Sequence, residues 1–169
     1  MMSDIAEQVS PDERQRWQVL HITGAADEQR VREAYAKHQM TAWVTAFLRE
    51  MDAAYAQADV VLARAGASTI AELASCGKPA VLIPYPGAAG HQLVNARLVE
   101  AIGGGVVIEE RRANPSRVLG VLRTLLADAR LRQMMGGQMR ELATPHAAER
   151  LTQAILALRP TAFIRGARS

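Results

Sequence analysis

The sequence predicts an α/β fold in which a Rossmann-like parallel sheet is flanked by helices. Short runs of apolar, β-branched residues alternate with helical patterns along the chain, which is the order expected of βαβ units. These runs are continuously apolar, as expected of strands covered on both faces. Aromatic residues make up only 4% of a chain that is 49% hydrophobic. We therefore expect a core of Ala, Leu, Val and Ile between helices and sheet.

The predicted elements follow in chain order from these patterns. Strands are predicted at 17–22, 43–47, 59–64, 79–85 and 105–110. Helices are predicted between them at 27–38, 51–58, 68–76 and 90–102, and after the last strand at 115–127, 129–142 and 146–158. A polar helical segment at 1–16 should precede a single domain at 17–158, with a tail at 159–169. We expect the opening βα unit of a doubly wound domain to be missing.

Composition argues against several classes of function. The single cysteine, Cys76, excludes an internal disulfide and a cysteine-based zinc site, and the four histidines lack metal-ligand spacing. No metal or cofactor is expected. The net charge is only +3 and the arginines are scattered, so no nucleic-acid partner is expected. The polar N-terminus and the absence of a long apolar stretch predict a cytoplasmic protein without a signal peptide or membrane span.

The loop at 64–69 is the first candidate for a binding site, because it joins a predicted strand to a predicted helix. Gly66 permits backbone conformations and close approaches that a side chain would forbid. Ser68 or Thr69 could cap the helix, which would make this an ordinary βα turn. Alternatively, the N–H groups of the first helical turn could bind a phosphate. Both interpretations remain open from the local pattern.

Glu72 is the acidic residue of the same predicted helix, three residues after Thr69. Thr-x-x-Glu is the pattern of a capping box, in which the glutamate accepts a hydrogen bond from the cap N–H. The alternative is that the carboxylate accepts hydrogen bonds from a vicinal diol, such as the two hydroxyls of a ribose. The local sequence does not decide between them.

The second candidate loop precedes the helix predicted at 90–102. His91, Gln92 and Asn95 can share one face near the start of that helix. Their imidazole and amide groups suit the hydroxyls and amides of a sugar, although polar side chains at a helix end are also common on plain surfaces. No acid near His91 in the sequence would orient it as a general base.

Two longer stretches together resemble one enzyme family. They are ADVVLARAGASTIAELASCGKPAVLIPYP at 58–86 and HQLVNA at 91–96. They resemble the C-terminal, donor-binding domain of the MurG family, the glycosyltransferase family 28 enzymes that transfer N-acetylglucosamine from UDP and convert lipid I to lipid II in peptidoglycan synthesis. The resemblance implies the C-terminal half of a GT-B glycosyltransferase that lacks its first strand and Gly-rich loop.

The resemblance also implies a UDP-N-acetylglucosamine site. Its UDP-binding residues would be Leu48 against uracil, Glu72 on the ribose hydroxyls, and the backbone of Ala67, Ser68 and Thr69 at the phosphates.

The sugar would be bound by the second loop, where the resemblance places His91 and Gln92 on N-acetylglucosamine, with Asn95 nearby. The catalytic residues would lie in the N-terminal acceptor domain, which is not in this sequence and which makes the family's peripheral contact with the cytoplasmic face of the membrane. That domain, or a partner chain, is therefore an expected partner, and an open sheet edge could allow self-association.

Three functions remain open from the sequence. The chain could be the donor-binding half of the lipid II-forming enzyme, able to bind but not to catalyse alone. It could be the donor subunit of a two-chain UDP-sugar transferase. It could also be a non-catalytic interaction or assembly protein that has kept the fold.

Overall fold

The computed structural model describes residues 2–87 and 89–158, so the predicted tail at 159–169 lies outside the described residues. Helices and strands alternate from the first strand to the last, and helices follow. In chain order the elements are α1 Met2–Gln8, α2 Pro11–Arg16, β1 Gln18–Ile22, α3 Glu28–Lys37, β2 Thr41–Thr45, α4 Met51–Gln57, β3 Val61–Ala63, α5 Ala67–Cys76, β4 Ala80–Leu82, α6 His91–Ala101, β5 Gly105–Val107, a 3₁₀ turn at Glu110–Arg112, α7 Pro115–Ala127, α8 Ala129–Glu141 and α9 Ala147–Ala157.

Strand boundaries differ from the sequence prediction for local reasons. The second strand begins and ends two residues early, because Thr41–Thr45 pairs in parallel with Gln18–Ile22. The fourth strand is three residues long instead of seven. Its ladder continues for one residue, since the Ile83 N–H donates to the Ala63 carbonyl at 2.9 Å. Pro84 then has no N–H to donate, which ends the pairing.

The N-terminal segment forms two short helices that join the core. Ile5, Ala6 and Val9 are buried, and α1 packs against α3 and α7. At the start of α2, the Glu13 N–H donates to the Ser10 hydroxyl, and the Ser10 N–H donates to the Glu13 carboxylate. This is a capping box, so each orphan N–H finds an acceptor.

The strands form two parallel sheets where the sequence predicts one. Among the described residues, β1 pairs only with β2, and β3, β4 and β5 form a second sheet in that order. Strand β4 is buried on both sides: Val81 and Ile83 belong to one core cluster, and Ala80 and Leu82 belong to another. These two clusters define the first and second faces of the molecule.

The helices divide between the two faces. Helices α1, α3 and α7 contribute buried residues to the first face, whereas α4, α5 and α6 contribute to the second, and α8 reaches both. Connections between parallel strands are right-handed, so crossovers on opposite faces proceed in opposite directions across a sheet. Helix α3 connects β1 to β2 on the first face, and α4 connects β2 to β3 on the second face. With all strands running the same way, β3 must then lie on the side of β1 away from β2. The order across the molecule is therefore β2-β1 followed by β3-β4-β5.

Strands β1 and β3 therefore border the point where strand order reverses, and no hydrogen bond joins them in the described part of the chain. We call this place the central opening. Helix α1 leads into β1 on the first face, so the same handedness would place a strand preceding α1 within the opening. The uncovered side of the β1–β2 sheet carries three exposed apolar residues, with Leu20 38%, Ile22 39% and Trp43 60% exposed. In doubly wound folds, ligands bind outside the strand ends at such a reversal.

Candidate functional site

Helix α5 begins earlier than the sequence predicts, and this changes the roles of its first residues. Its N-cap is Gly66, with no side-chain cap hydrogen bond, and Ala67, Ser68 and Thr69 are its first three helical residues. Neither Ser68 nor Thr69 caps the helix, so the first of the two interpretations left open by the sequence does not hold. The first intrahelical bond is donated by Ile70 to Gly66, so the N–H groups of residues 67–69 have no intrahelical acceptor.

Glu72 does not form the predicted capping box. Because the helix starts at Ala67, Glu72 is its sixth residue and lies beyond the first turn. Its exposed side chain instead accepts a hydrogen bond from the Tyr55 hydroxyl, with Oη 2.9 Å from Oε2. The ring of Tyr55 is only 6% exposed, within the core cluster of the second face. The carboxylate is thus exposed about one turn along α5 from its first residues, and it accepts a hydrogen bond from the Tyr55 hydroxyl.

Helix α4, which supplies Tyr55, is itself fixed by Lys78. The ammonium group donates to the carbonyl oxygens of Ala56 at 3.1 Å and Ala58 at 3.0 Å, at the C-terminal end of α4. A cation at this end of a helix is stabilised by the unpaired carbonyl groups and by the negative end of the helix dipole. Lys78 follows Gly77, the left-handed C-cap of α5. The two helices that present Tyr55 and Glu72 are therefore joined at a second point.

Two amide side chains fix the second loop, and one of them also connects it to the first loop. The Gln92 side-chain oxygen accepts from the Tyr85 N–H at 2.9 Å, which leaves its NH₂ group to donate elsewhere. The Asn95 NH₂ donates to the Ala65 carbonyl at 3.2 Å, in the β3–α5 loop. Asn95 thus acts on the shape of the first loop. His91 is exposed at the first position of α6, after Gly90 at φ +80°.

Arg64, at the start of the first loop, forms a bidentate ion pair with Glu110 after β5. Its guanidinium lies 5.7 Å from the centre of the Tyr85 ring. The Arg64 hydrogen bond lowers the pKa of the Glu110 carboxyl, so the pair stays charged at neutral pH. Through this ion pair, Arg64 connects the segment that follows β3 to the segment that follows β5.

The structure brings most of the predicted residues to adjacent loops. Residues 67–69 and Glu72 lie on α5, Gln92 and Asn95 on α6, and the two helices follow the adjacent strands β3 and β4. Leu48 is half-buried in the β2–α4 loop.

The roles of Tyr55, Lys78 and Glu110 were not predicted from the sequence. Each acts through a contact between residues far apart in the chain. Tyr55 and Glu72 lie 17 positions apart, and Arg64 and Glu110 lie 46 positions apart. The one local signal was a tyrosine within the alanine-rich helix MDAAYAQ. A polar aromatic residue there needs a partner for its hydroxyl when the ring is buried.

This arrangement can bind an anion and a diol side by side. Unpaired N–H groups at the start of α5 suit a phosphate or diphosphate, and Gly66 adds no side chain in the way. One turn later, the Glu72 carboxylate can accept from neighbouring hydroxyls. In the described ranges, no group of three or more His, Cys, Asp or Glu side chains could hold a metal ion. Searched over the same ranges, no helix is long and apolar enough to cross a membrane.

A protein-family model and individual relatives of known name match this chain and point to the same family. The family model of the glycosyltransferase family 28 C-terminal domain matches residues 2–151. A relative from Anaeromyxobacter sp. (strain Fw109-5) is 40% identical over 141 residues, which is 83% of this chain and 37% of that protein. One from Chlorobium luteolum is 44% identical over 138 residues, 80% of this chain and 37% of that protein. Both are named UDP-N-acetylglucosamine--N-acetylmuramyl-(pentapeptide) pyrophosphoryl-undecaprenol N-acetylglucosamine transferase.

A solved structure is similar as well. The crystal structure of Acinetobacter baumannii MurG superposes with a TM-score of 0.80 at 28% identity, over 93% of this chain and 45% of that one. The chain thus spans less than half the length of each of these proteins.

Proposed function

Because the chain belongs to the glycosyltransferase family 28 C-terminal domain family, we propose that it binds UDP-N-acetylglucosamine for the enzyme that converts lipid I to lipid II. The observation that supports this most directly is that Glu72 is exposed on α5, about one turn after the N–H groups that have no intrahelical acceptor. A uridine diphosphate sugar needs both an anion site and a diol acceptor.

The remaining residues fit around that pair. Leu48 would lie against the uracil, and the backbone of residues 67–69 would bind the diphosphate. Gln92 would donate to the sugar through its NH₂ group, since its oxygen is already engaged by Tyr85. His91 would contact the same sugar, and Asn95 would act by holding the β3–α5 loop through Ala65.

The reaction itself needs a second half. Inverting transfer to the 4-hydroxyl of a muramyl acceptor requires donor and acceptor to be held together, and most of the rate enhancement would come from positioning and charge stabilisation. We propose that the catalytic base and acceptor site belong to an N-terminal domain or a partner chain at the cytoplasmic face of the membrane. This chain alone would bind the donor without turnover.

Calorimetric titration of the chain with UDP-N-acetylglucosamine tests the proposal. We expect saturable binding that Glu72→Ala weakens about 10- to 100-fold, because hydrogen bonds to a charged acceptor are lost. Glu33→Ala, at an exposed glutamate of α3, is the matched control and should bind as the original chain does.

Two results would contradict parts of the proposal. Folded protein that releases no heat with the nucleotide sugar would favour a non-catalytic assembly function for the same fold. Binding that survives Glu72→Ala unchanged would remove the ribose assignment alone. Sedimentation of the same samples tests self-association through the central opening, with a monomer at every concentration as the negative result.

A further inference from the structure

Tyr55 belongs to no part of the site described by the sequence motifs, yet it touches the one acid on which the proposed function depends. Its ring is buried between α4 and α5 in the same core cluster as Ile70 and Leu73. Only its hydroxyl reaches the site, where Oη lies 2.9 Å from Glu72 Oε2. A ring held in this way cannot move its hydroxyl without disturbing the packing around it.

The direction of this hydrogen bond is fixed by chemistry. An ionised carboxylate can only accept, so the phenol is the donor. Burial, and then the hydrogen bond to Glu72, raise the pKa of Tyr55 above its ordinary value. The hydroxyl therefore keeps its proton at any pH at which the protein would work, and the interaction persists throughout.

The bond leaves the carboxylate with one oxygen engaged and the other open. A glutamate on an exposed helical surface ordinarily samples several rotamers, and a ligand that it binds must restrict them. Here Tyr55 has already restricted them before any ligand arrives. Lys78, bound to the end of α4, holds the helix that supplies Tyr55. The Glu72 carboxylate, with its free acceptor positions, is then held in one orientation before the ligand binds, as preorganised binding requires.

We propose that Tyr55 is a positioning residue that aims the Glu72 carboxylate at the ribose and so makes the site favour ribonucleotides over 2′-deoxyribonucleotides. This inference rests on the proposed function. Tyr55 would not touch the ligand, and its whole effect on binding would pass through Glu72. Removal of its hydroxyl should therefore weaken a ligand that has the 2′-hydroxyl more than one that lacks it.

The test compares UDP with 2′-deoxyuridine 5′-diphosphate by calorimetry, for the original chain and for Tyr55→Phe. We expect the original chain to prefer UDP. In Tyr55→Phe, we expect UDP affinity to fall about fivefold, because UDP must then order the Glu72 side chain itself, and the deoxy ligand to change less. The ratio of the two affinities should fall while the melting temperature stays close to that of the original chain.

Tyr35→Phe is the matched control. Tyr35 is also buried, and its hydroxyl contacts His21 Nδ1 at 3.1 Å on the other face of the molecule. Its removal should leave the affinity ratio unchanged. In a Glu72→Ala background, Tyr55→Phe should have no further effect on either ligand, because the positioned group is already gone.

Equal weakening of both ligands by Tyr55→Phe would overturn the inference and leave Tyr55 with a structural role. So would an effect that persists in the Glu72→Ala background. If the original chain bound neither ligand, the proposed function would fail and the inference with it. A measurement without ligand is independent of binding: the ¹³Cζ NMR shift of Tyr55 should differ between the original chain and Glu72→Ala, and an unchanged shift would show that the hydrogen bond is absent.

Discussion

Glu13 joins the N-terminal helices to α7. Its two carboxylate oxygens accept from Arg123 Nε at 2.6 Å and Nη2 at 2.8 Å, while one of them also completes the capping box of α2. The hydrogen bonds from Arg123, with the Ser10 N–H contributing less, lower the pKa of Glu13 from 4.5 to about 2. The ionised form is therefore the one that folding favours.

This coupling predicts how stability depends on pH. A carboxyl whose pKa is lower in the folded state stabilises the protein above its unfolded pKa and loses that contribution as pH falls through the folded pKa. Glu13→Gln should destabilise the chain by about 0.5–1 kcal/mol at neutral pH, because glutamine can still complete the capping box but has no charge to pair with Arg123. The difference should shrink between pH 4.5 and about 2, as measured by urea unfolding.

Glu7→Gln is the control, because Glu7 is exposed on α1 and its carboxylate makes no contact with α7 among the described residues. A Glu13→Gln deficit that stayed constant down to about pH 2 would mean that charge on Glu13 does not contribute.

Glu72 shows how far the role of a single residue can be predicted from the sequence. Its position after a glycine-containing loop was enough to identify it as a capping or binding residue. The choice between the two depended on where α5 starts, and the capping box is excluded because the N-cap is Gly66, three residues before Thr69. The partner that holds it, Tyr55, lies on another helix, and a single sequence contains no signal for a hydrogen bond of that range.

Helices α5 and α8 approach each other closely at a pair of glycines. A Cβ on Gly136 would lie 2.5 Å from the carbonyl oxygen of Gly77, the left-handed C-cap of α5. The obstacle is backbone, so it cannot rotate away as a side chain would. This approach fixes the end of α5 opposite to the candidate site.

Gly136→Ala and Gly137→Ala should therefore have opposite effects on stability. Gly136→Ala should destabilise the chain by about 1–3 kcal/mol, because overpacking forces the helices apart. Gly137 is the next residue of α8 and is exposed, and a Cβ added there would meet no atom within 4 Å. Gly137→Ala should stabilise by about 0.5–1 kcal/mol through helix propensity alone. Thermal unfolding measures both, and equal effects would contradict the packing argument.

Elements were predictable in type and order but not in their ends. Every predicted strand and helix has a counterpart, because each depends on a pattern of neighbouring residues. The ends depend on partners: β2 follows the register of β1, and β4 stops where Pro84 cannot donate. The inward packing of α1 was also unexpected, since the segment is polar overall and its three buried residues are spread over five positions.

For the whole molecule, the resemblance proposed from two short stretches is confirmed by the family match over residues 2–151, and the Rossmann-like fold by the 0.80 TM-score. The division into two sheets was not predicted. It follows from the absence of a strand between β1 and β3 in the described part of the chain, a relation between residues that no local pattern describes. Strand order depends on which face of the sheet each connecting helix covers, and this too is a relation between distant residues.

The central opening should also divide the domain into regions of different local stability. Within the described residues, the β1–β2 pair is connected to β3–β4–β5 by side-chain packing on the first face and by the chain itself, without a backbone hydrogen bond between the sheets. Amide hydrogens in β1 and β2 should therefore exchange with solvent through a smaller opening than those of the doubly covered strand β4.

We expect protection factors in β4 to exceed those in β1 and β2 by about tenfold or more, measured by NMR-detected exchange of the unliganded chain. UDP should slow exchange in α5 and α6 more than in β1. Uniform protection across both sheets would instead show a single cooperative unit. If exchange divides as expected, the boundary between the two units of cooperative unfolding lies inside the domain, between β1 and β3, and donor binding stabilises mainly one side of it.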